Sequence, residues 1–183
     1  DLSYICTVLG NLSGIPIRVF RGGELVFYHS LVKLPEDPMK VCARELMAIG
    51  ESVGYYVTPD FYYFGVVNSG EIKLVAGPAS QVGGGERELR ELAFRADVPQ
   101  ERVGEFISAM RAIVPMPLES IIQMLCAVNF MLSGERPELK DVTIYDSEQR
   151  ELRGAIERQQ FNARLAGSMA EAHNTLDVER ELL

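Results

Sequence analysis

Side chains able to do covalent or metal chemistry are few and scattered. The chain has two histidines, His29 and His173, and three cysteines, Cys6, Cys42 and Cys126. No cysteine stands at metal-ligand spacing from a histidine, so no metal site is expected. The motifs GxSxG, HExxH, CxxC and the P-loop are absent. No catalytic residue and no cofactor is therefore assigned, and the chain is not expected to be an enzyme. A small enzyme would need a polar cleft setting a glutamate or histidine beside a tyrosine. His29 has no catalytic companion and reads as a strand-end histidine with its tip in water. The run Gly83-Gly84-Gly85-Glu86 could offer backbone N–H groups to a phosphate, but it lacks the Lys-Ser/Thr continuation and reads as a flexible loop. Glu36-Asp37, between two prolines, reads as a solvated turn. Cys42 and Cys126 fall on apolar helical faces, where buried, unreactive thiols are the default.

Aromatic residues are concentrated in one place. Tyr55, Tyr56, Phe61, Tyr62, Tyr63 and Phe64 lie within ten residues, in a chain without tryptophan. On strands, successive side chains alternate between faces, so both faces of this hairpin must carry rings. One face can pack on helices, and the other needs a cover, for which the helical pattern at 39–49 is the candidate. A chamber between them would be apolar with a few phenolic hydroxyls, as small-molecule pockets usually are. Its expected lining is Tyr28, Cys42, Tyr56, Tyr63 and Phe64. The other reading is a packed aromatic core with tyrosine tips in solvent.

The positioning elements follow from periodicity and turn chemistry. Tyr4, Ile5, Val8, Leu9 and Leu12 mark an amphipathic helix over 3–13 that Gly14 ends. Two β-rich runs, 15–20 and 25–29, flank Gly22-Gly23, a hairpin signal. Met39, Cys42, Ala43, Leu46, Met47 and Ile49 predict a helix over 39–49. Strands follow at 55–57, 61–67 and 72–76, joined by Thr58-Pro59-Asp60 and Asn68-Ser69-Gly70, with Gly77-Pro78 ending the sheet. Helical stripes then occupy 86–96, 103–110 and 118–132, and a last helix is expected from about 147 to 172. Hairpin connections predict a mainly antiparallel sheet. The fold class is thus α+β: a five-stranded, mainly antiparallel sheet with helices, followed by a helical bundle and a linker helix. A helix after the second of five antiparallel strands is also the layout of GAF- and PAS-type sensor domains, an analogy of order only. The predicted organisation is a sensor domain at 1–146 and a helical linker or dimerisation segment at 147–183.

Composition sets the class. With 47% hydrophobic and 24% charged residues the chain is ordinary globular protein, and at this length a fold buries roughly 70% of the unfolded surface. The net charge of −8 and the lack of a lysine-rich stretch argue against phosphate gripping by the chain itself. Three dispersed cysteines give no disulfide framework, which fits a reducing cytoplasm. No apolar run approaches about 18 residues and no signal peptide is recognisable, so no membrane association is expected. The chain starts at Asp1, and Val178, Leu182 and Leu183 still mark a helical face at its end, the pattern expected of a fragment.

Certain strings are similar to a known family. In order they are Leu12-Ser13-Gly14-Ile15-Pro16-Ile17-Arg18, Val53-Gly54-Tyr55-Tyr56-Val57-Thr58-Pro59, Phe64-Gly65-Val66-Val67, Val75-Ala76-Gly77-Pro78, Met116-Pro117-Leu118-Glu119, His173-Asn174-Thr175 and Val178-Glu179-Arg180-Glu181-Leu182-Leu183. Together they resemble the N-terminal sensor region of AraC-family transcriptional regulators of the Clostridia and related Firmicutes. That resemblance implies a cytoplasmic sensor that binds a small-molecule effector and passes its occupancy to a C-terminal helix-turn-helix domain. Nothing in this chain matches that domain, so DNA would be a partner only through the missing part. The cupin-type barrel of sugar-responsive members would need many more strands, so sugar binding is not carried over. A homodimer is expected, with Leu152, Ile156, Phe161 and Leu165 as its seam; the same positions could instead dock on their own domain. A structural dimerisation or protein-interaction module without a ligand is the alternative function.

Overall fold

The computed structural model describes residues 1–81, 83–137 and 143–144. In chain order the elements are α1 (Leu2–Ser13), β1 (Ile17–Arg21), β2 (Glu24–His29), a 3₁₀ turn (Pro38–Cys42) running into α2 (Ala43–Ala48), β3 (Val53–Val57), β4 (Tyr63–Ser69) and β5 (Ile72–Ala79). They continue with α3 (Glu86–Arg95), a second 3₁₀ turn (Gln100–Arg102), α4 (Val103–Ala112), α5 (Leu118–Ser133) and β6 (Thr143–Ile144). The fold is α+β. Five antiparallel strands lie in the order β2-β1-β5-β4-β3, and β6 extends the sheet by pairing in parallel with β3.

Local chemistry accounts for the boundaries. The Asp1 carboxylate accepts from the Ser3 N–H at 3.0 Å and caps α1, and Gly14 ends it in the left-handed region at φ 70°. Gly22 and Gly23, at φ 58° and 88°, form the turn between β1 and β2 that side-chain-bearing residues rarely adopt.

Alternation along the strands builds two cores. On one face Ile17, Val19, Tyr55, Tyr63, Val67 and Leu74 pack under α1, which lies on β1 and β2, and α5, which lies on β4 and β3. The approach of α5 is close: a Cβ on Gly65 would stand 2.3 Å from Leu125 Cδ1, so any larger residue there must displace the Leu125 side chain. On the other face Met39, Cys42, Leu46 and Ile49 cover Phe64, Val66 and Val75. A third cluster joins Tyr62 to Leu89, Leu92, Phe106 and Met110 of α3 and α4.

Three expectations need correction. The single helix predicted over 39–49 is a 3₁₀ turn and a short α-helix, because Cys42 interrupts the helical dihedrals at φ −140°, ψ 20° and Ile49 is extended. The strand expected to stop at Gly77-Pro78 continues to Ala79, and the proline sits where the register with β4 is irregular, between the Gly65–Ala76 and Tyr63–Ala79 pairs, a place where a strand tolerates it. α1 fully buries Cys6, Gly10 and Ser13; of the predicted stripe, Leu9 packs against the core and Ile5 and Val8 are half-buried, while Tyr4 and Leu12 lie in solvent. The physical cause is a close approach, since a Cβ at Gly10 would meet His29 Cδ2 at 2.4 Å. β6 carries no legible signal in two residues. The predicted linker helix, the seam positions Leu152, Ile156, Phe161 and Leu165, and the domain boundary at 146/147 lie outside the described residues.

Candidate functional site

The covered face of the sheet holds a charge in its core. Arg18, on β1, is 1% exposed. Its Nε and Nη2 donate to the Asp37 carboxylate at 2.6 and 2.5 Å, and its Nη1 donates to the Gly77 carbonyl at 2.7 Å. The guanidinium carbon lies 5.2 Å from the centre of the Tyr28 ring. Asp37 is no solvated turn: besides holding Arg18, it accepts from the Met39 N–H at 2.9 Å and so caps the 3₁₀ turn. One carboxylate thus fastens the start of the cover to the sheet. A bidentate pair of this kind is geometrically specific as well as strong.

The other end of the cover is held by neutral acceptors. Lys73 Nζ donates to the carbonyls of Leu46, Met47 and Ile49 at 3.2, 2.9 and 2.6 Å. These carbonyls lie at the C-terminal end of α2 and on its cap residue Ile49, and three acceptors match the three ammonium protons. Burial pulls the Lys73 ammonium below the ordinary lysine range, and Glu51 partly opposes that. The Asn68 amide donates to the carbonyls of Ile49 and Glu51 at 3.1 and 2.6 Å.

The five expected pocket residues do not share one chamber. Cys42 and Phe64 are 1% exposed and belong to one packed cluster, with Tyr56 half-buried at its margin. Cys42, Leu46, Ile49, Phe64, Val66 and Val75 are all buried, so the space between cover and sheet is packed core at these residues. Tyr63 points to the opposite face, under α5, where its hydroxyl donates to the Met116 carbonyl. The reason is parity: Phe64 and Tyr56 are directly opposed on β4 and β3, so Tyr63 must point away. Tyr28 is 45% exposed and serves as the lid over Arg18. Burial pushes the Cys42 thiol up to about 12, with Glu45 adding, and the Tyr63 phenol up to about 12, with Glu119 adding.

The remaining sequence candidates have structural partners. The His29 ring rests on Gly10, and its Nε2 lies 2.9 Å from Asn11 Oδ1. The glycine run before α3 packs on Tyr62, whose hydroxyl accepts from the Gly84 N–H at 3.2 Å. Among the described residues no group of three or more His, Cys, Asp or Glu side chains could hold a metal ion, and no helix is long and apolar enough to cross a membrane.

A cleft does open beside the cover. It measures about 310 Å³ and lies between the β1–β2 and β4–β5 turns and the end of α2. Phe20, Met47 and Ile72 supply its apolar wall, while Asn68, Glu71 and Lys73 supply polar groups. None of the five expected lining residues reaches it. Sequence reasoning missed the cleft because its residues come from two turns and a helix end that only strand pairing brings together. Its one legible signal was Lys73, a lone cation amid the apolar run of β5. No protein-family model matches the chain, nor does any curated protein or solved structure.

Proposed function

We propose that the chain is a ligand-sensing regulatory domain of the GAF/PAS-like kind, the effector-binding half of an AraC-type transcriptional regulator in the cytoplasm. Effector occupancy would pass to a C-terminal helix-turn-helix domain outside this chain, and two chains would act as a homodimer. The order of family-like strings supports the regulator assignment. One structural observation carries the sensing: the cleft of about 310 Å³ is walled by Met47, Asn68 and Lys73, the groups that end α2 or hold its end to the sheet. Its volume sits at the lower bound of small-molecule sites, about 300 Å³. A small molecule seated there touches the fastening of the cover directly. It can shift the cover between two arrangements to the extent that it binds them with different affinity. The aromatic hairpin is then the rigid floor and not the pocket.

A second function, a dimerisation or protein-interaction module with no ligand, is favoured by the packed core under the cover, where a chamber was expected.

Thermal-shift screening of the 183-residue chain against metabolite classes separates the two, run in parallel on Met47→Trp, which fills the cleft. A ligand at 100 times its Kd stabilises by about 2.7 kcal/mol. The sensor assignment expects at least one compound that raises the melting temperature of the wild type and not of Met47→Trp. Silence across all classes, or equal shifts in both proteins, refutes it.

A further inference from the structure

The wall of the cleft beside the cover grows from one row of the sheet. Pairing sets Leu25 beside Phe20, and Lys73 between Phe20 and Asn68, so these four stand side by side across β2, β1, β5 and β4. Directly paired residues share a face, and Phe20 packs on the cluster under the cover, so the row lies on the covered face. It is apolar at Leu25 and Phe20 and polar at Lys73 and Asn68. Glu71, from the turn between β4 and β5, adds a carboxylate to the cleft, and Met47 from the end of α2 adds apolar surface.

Two opposite charges line this cleft without neutralising each other. Among the described residues Glu71 makes no ion pair, with Lys73 or with any other cation. The Lys73 ammonium gives its hydrogen bonds to neutral carbonyls, and its burial lowers its proton affinity, with Glu51 opposing. Asn68 spends both amide protons on the Ile49 and Glu51 carbonyls, so the polar atom it has left is the Oδ1 acceptor. The cleft therefore offers a cation, an anion and a neutral acceptor beside an apolar wall. A ligand with a single charge meets a like charge there: a plain amine meets Lys73, and a plain carboxylate meets Glu71. A zwitterion finds an opposite charge for each of its own.

We infer that the effector of this cleft is a small free amino acid with an apolar side chain, its carboxylate on Lys73, its ammonium on Glu71 and the Asn68 Oδ1, and its side chain on Phe20 and Met47. The inference rests on the sensing assignment above and narrows it to one ligand class. One of the three Lys73 hydrogen bonds is open to exchange. The bond to the Leu46 carbonyl is the longest at 3.2 Å, and that carbonyl also accepts from the Ile49 N–H at 3.4 Å. It keeps a partner when the ligand carboxylate takes the ammonium proton, and the new bond, between two charges, is the stronger. Amino-acid binding thus gives Lys73 a counter-ion and releases one fastening of α2.

Isothermal titration calorimetry of the full 183-residue chain tests this with L-leucine, L-methionine and L-phenylalanine, each beside its decarboxylated amine and its deaminated acid. At least one of the three is expected to bind, and its amine and its acid should each bind at least about 10-fold more weakly. Glu71→Gln, at an exposed position, should weaken the amino acid by about 10-fold and leave the deaminated acid no weaker. Lys73→Met should weaken the amino acid and spare the amine, with circular dichroism confirming its fold. An amino acid that binds equally well without either charged group, or that Glu71→Gln leaves unaffected, overturns the inference. If none of the three binds while another metabolite class gives a shift that Met47→Trp removes, the amino-acid assignment falls and the sensing assignment stands. If no class gives such a shift, both fall.

Discussion

Replacing Asp37 by alanine strands the Arg18 guanidinium in the core. Arg18 is 1% exposed, and the substitution removes two of its three hydrogen bonds, leaving the Gly77 carbonyl and the Tyr28 ring. Breaking a buried ion pair from one side costs about 3–5 kcal/mol, mostly the desolvation of the charge left behind. The Asp37 side chain is 35% exposed, so water can reach part of the vacated site and moves the value toward the lower end. Loss of the cap on Met39 adds about 1 kcal/mol. The expected total is about 3–4 kcal/mol, or roughly 10 °C in Tm for a chain of this length. Urea unfolding followed by circular dichroism measures it, and amide exchange over 38–48 should accelerate if the cover is what the pair fastens. Arg18→Met removes the charge itself, so Arg18→Met with Asp37→Ala should cost about 2 kcal/mol less than the sum of the single variants. An Asp37→Ala variant within about 1 kcal/mol of wild type, or strictly additive costs, would refute the assignment of Arg18–Asp37 as the fastening.

Three further outcomes are expected. Gly65→Ala should cost about 1–3 kcal/mol by overpacking Leu125, and Leu125→Ala in the same chain should recover part of it; an additive pair would show that the two side chains do not compete for that space. With burial pushing Cys6 to about 11 and Cys42 to about 12, alkylation of the native protein at pH 8 should reach the half-buried Cys126 first, and Cys42 at least about 100-fold more slowly; peptide mapping showing equal rates refutes this. The Tyr63 phenol sits at about 12 in the fold against about 10 unfolded. The folded state therefore holds its proton longer, and the stability it contributes is intact below pH 10 and lost as the pH climbs toward 12. Tyr63→Phe should lose about 1 kcal/mol at pH 7, from the hydrogen bond to Met116, and show a shallower alkaline decline; equal slopes in urea titrations at pH 8, 10 and 11 would contradict it.

Short-range chemistry was legible in the residues. Gly14 ends α1, Gly22-Gly23 turns the first hairpin, and the stripes of α3, α4 and α5 lie where periodicity puts them. Rings on both faces of the β3–β4 hairpin also follow from alternation alone. The α+β class follows from these, because hairpin spacing and helical period are properties of neighbours in the chain.

Only tertiary structure decided which face each side chain serves. Alternation says that Tyr63 and Phe64 part company, but the register of β4 on β3 decides which of them meets the cover. Asp37 reads as a turn residue until strand pairing places Arg18 beneath it, 19 residues away. α1 has the same apolar stripe in either orientation, and the close packing of Gly10 on His29 leaves its Tyr4 and Leu12 in solvent while Leu9 stays on the core. A residue's type limits the partners it can satisfy, and long-range packing selects which of them it meets.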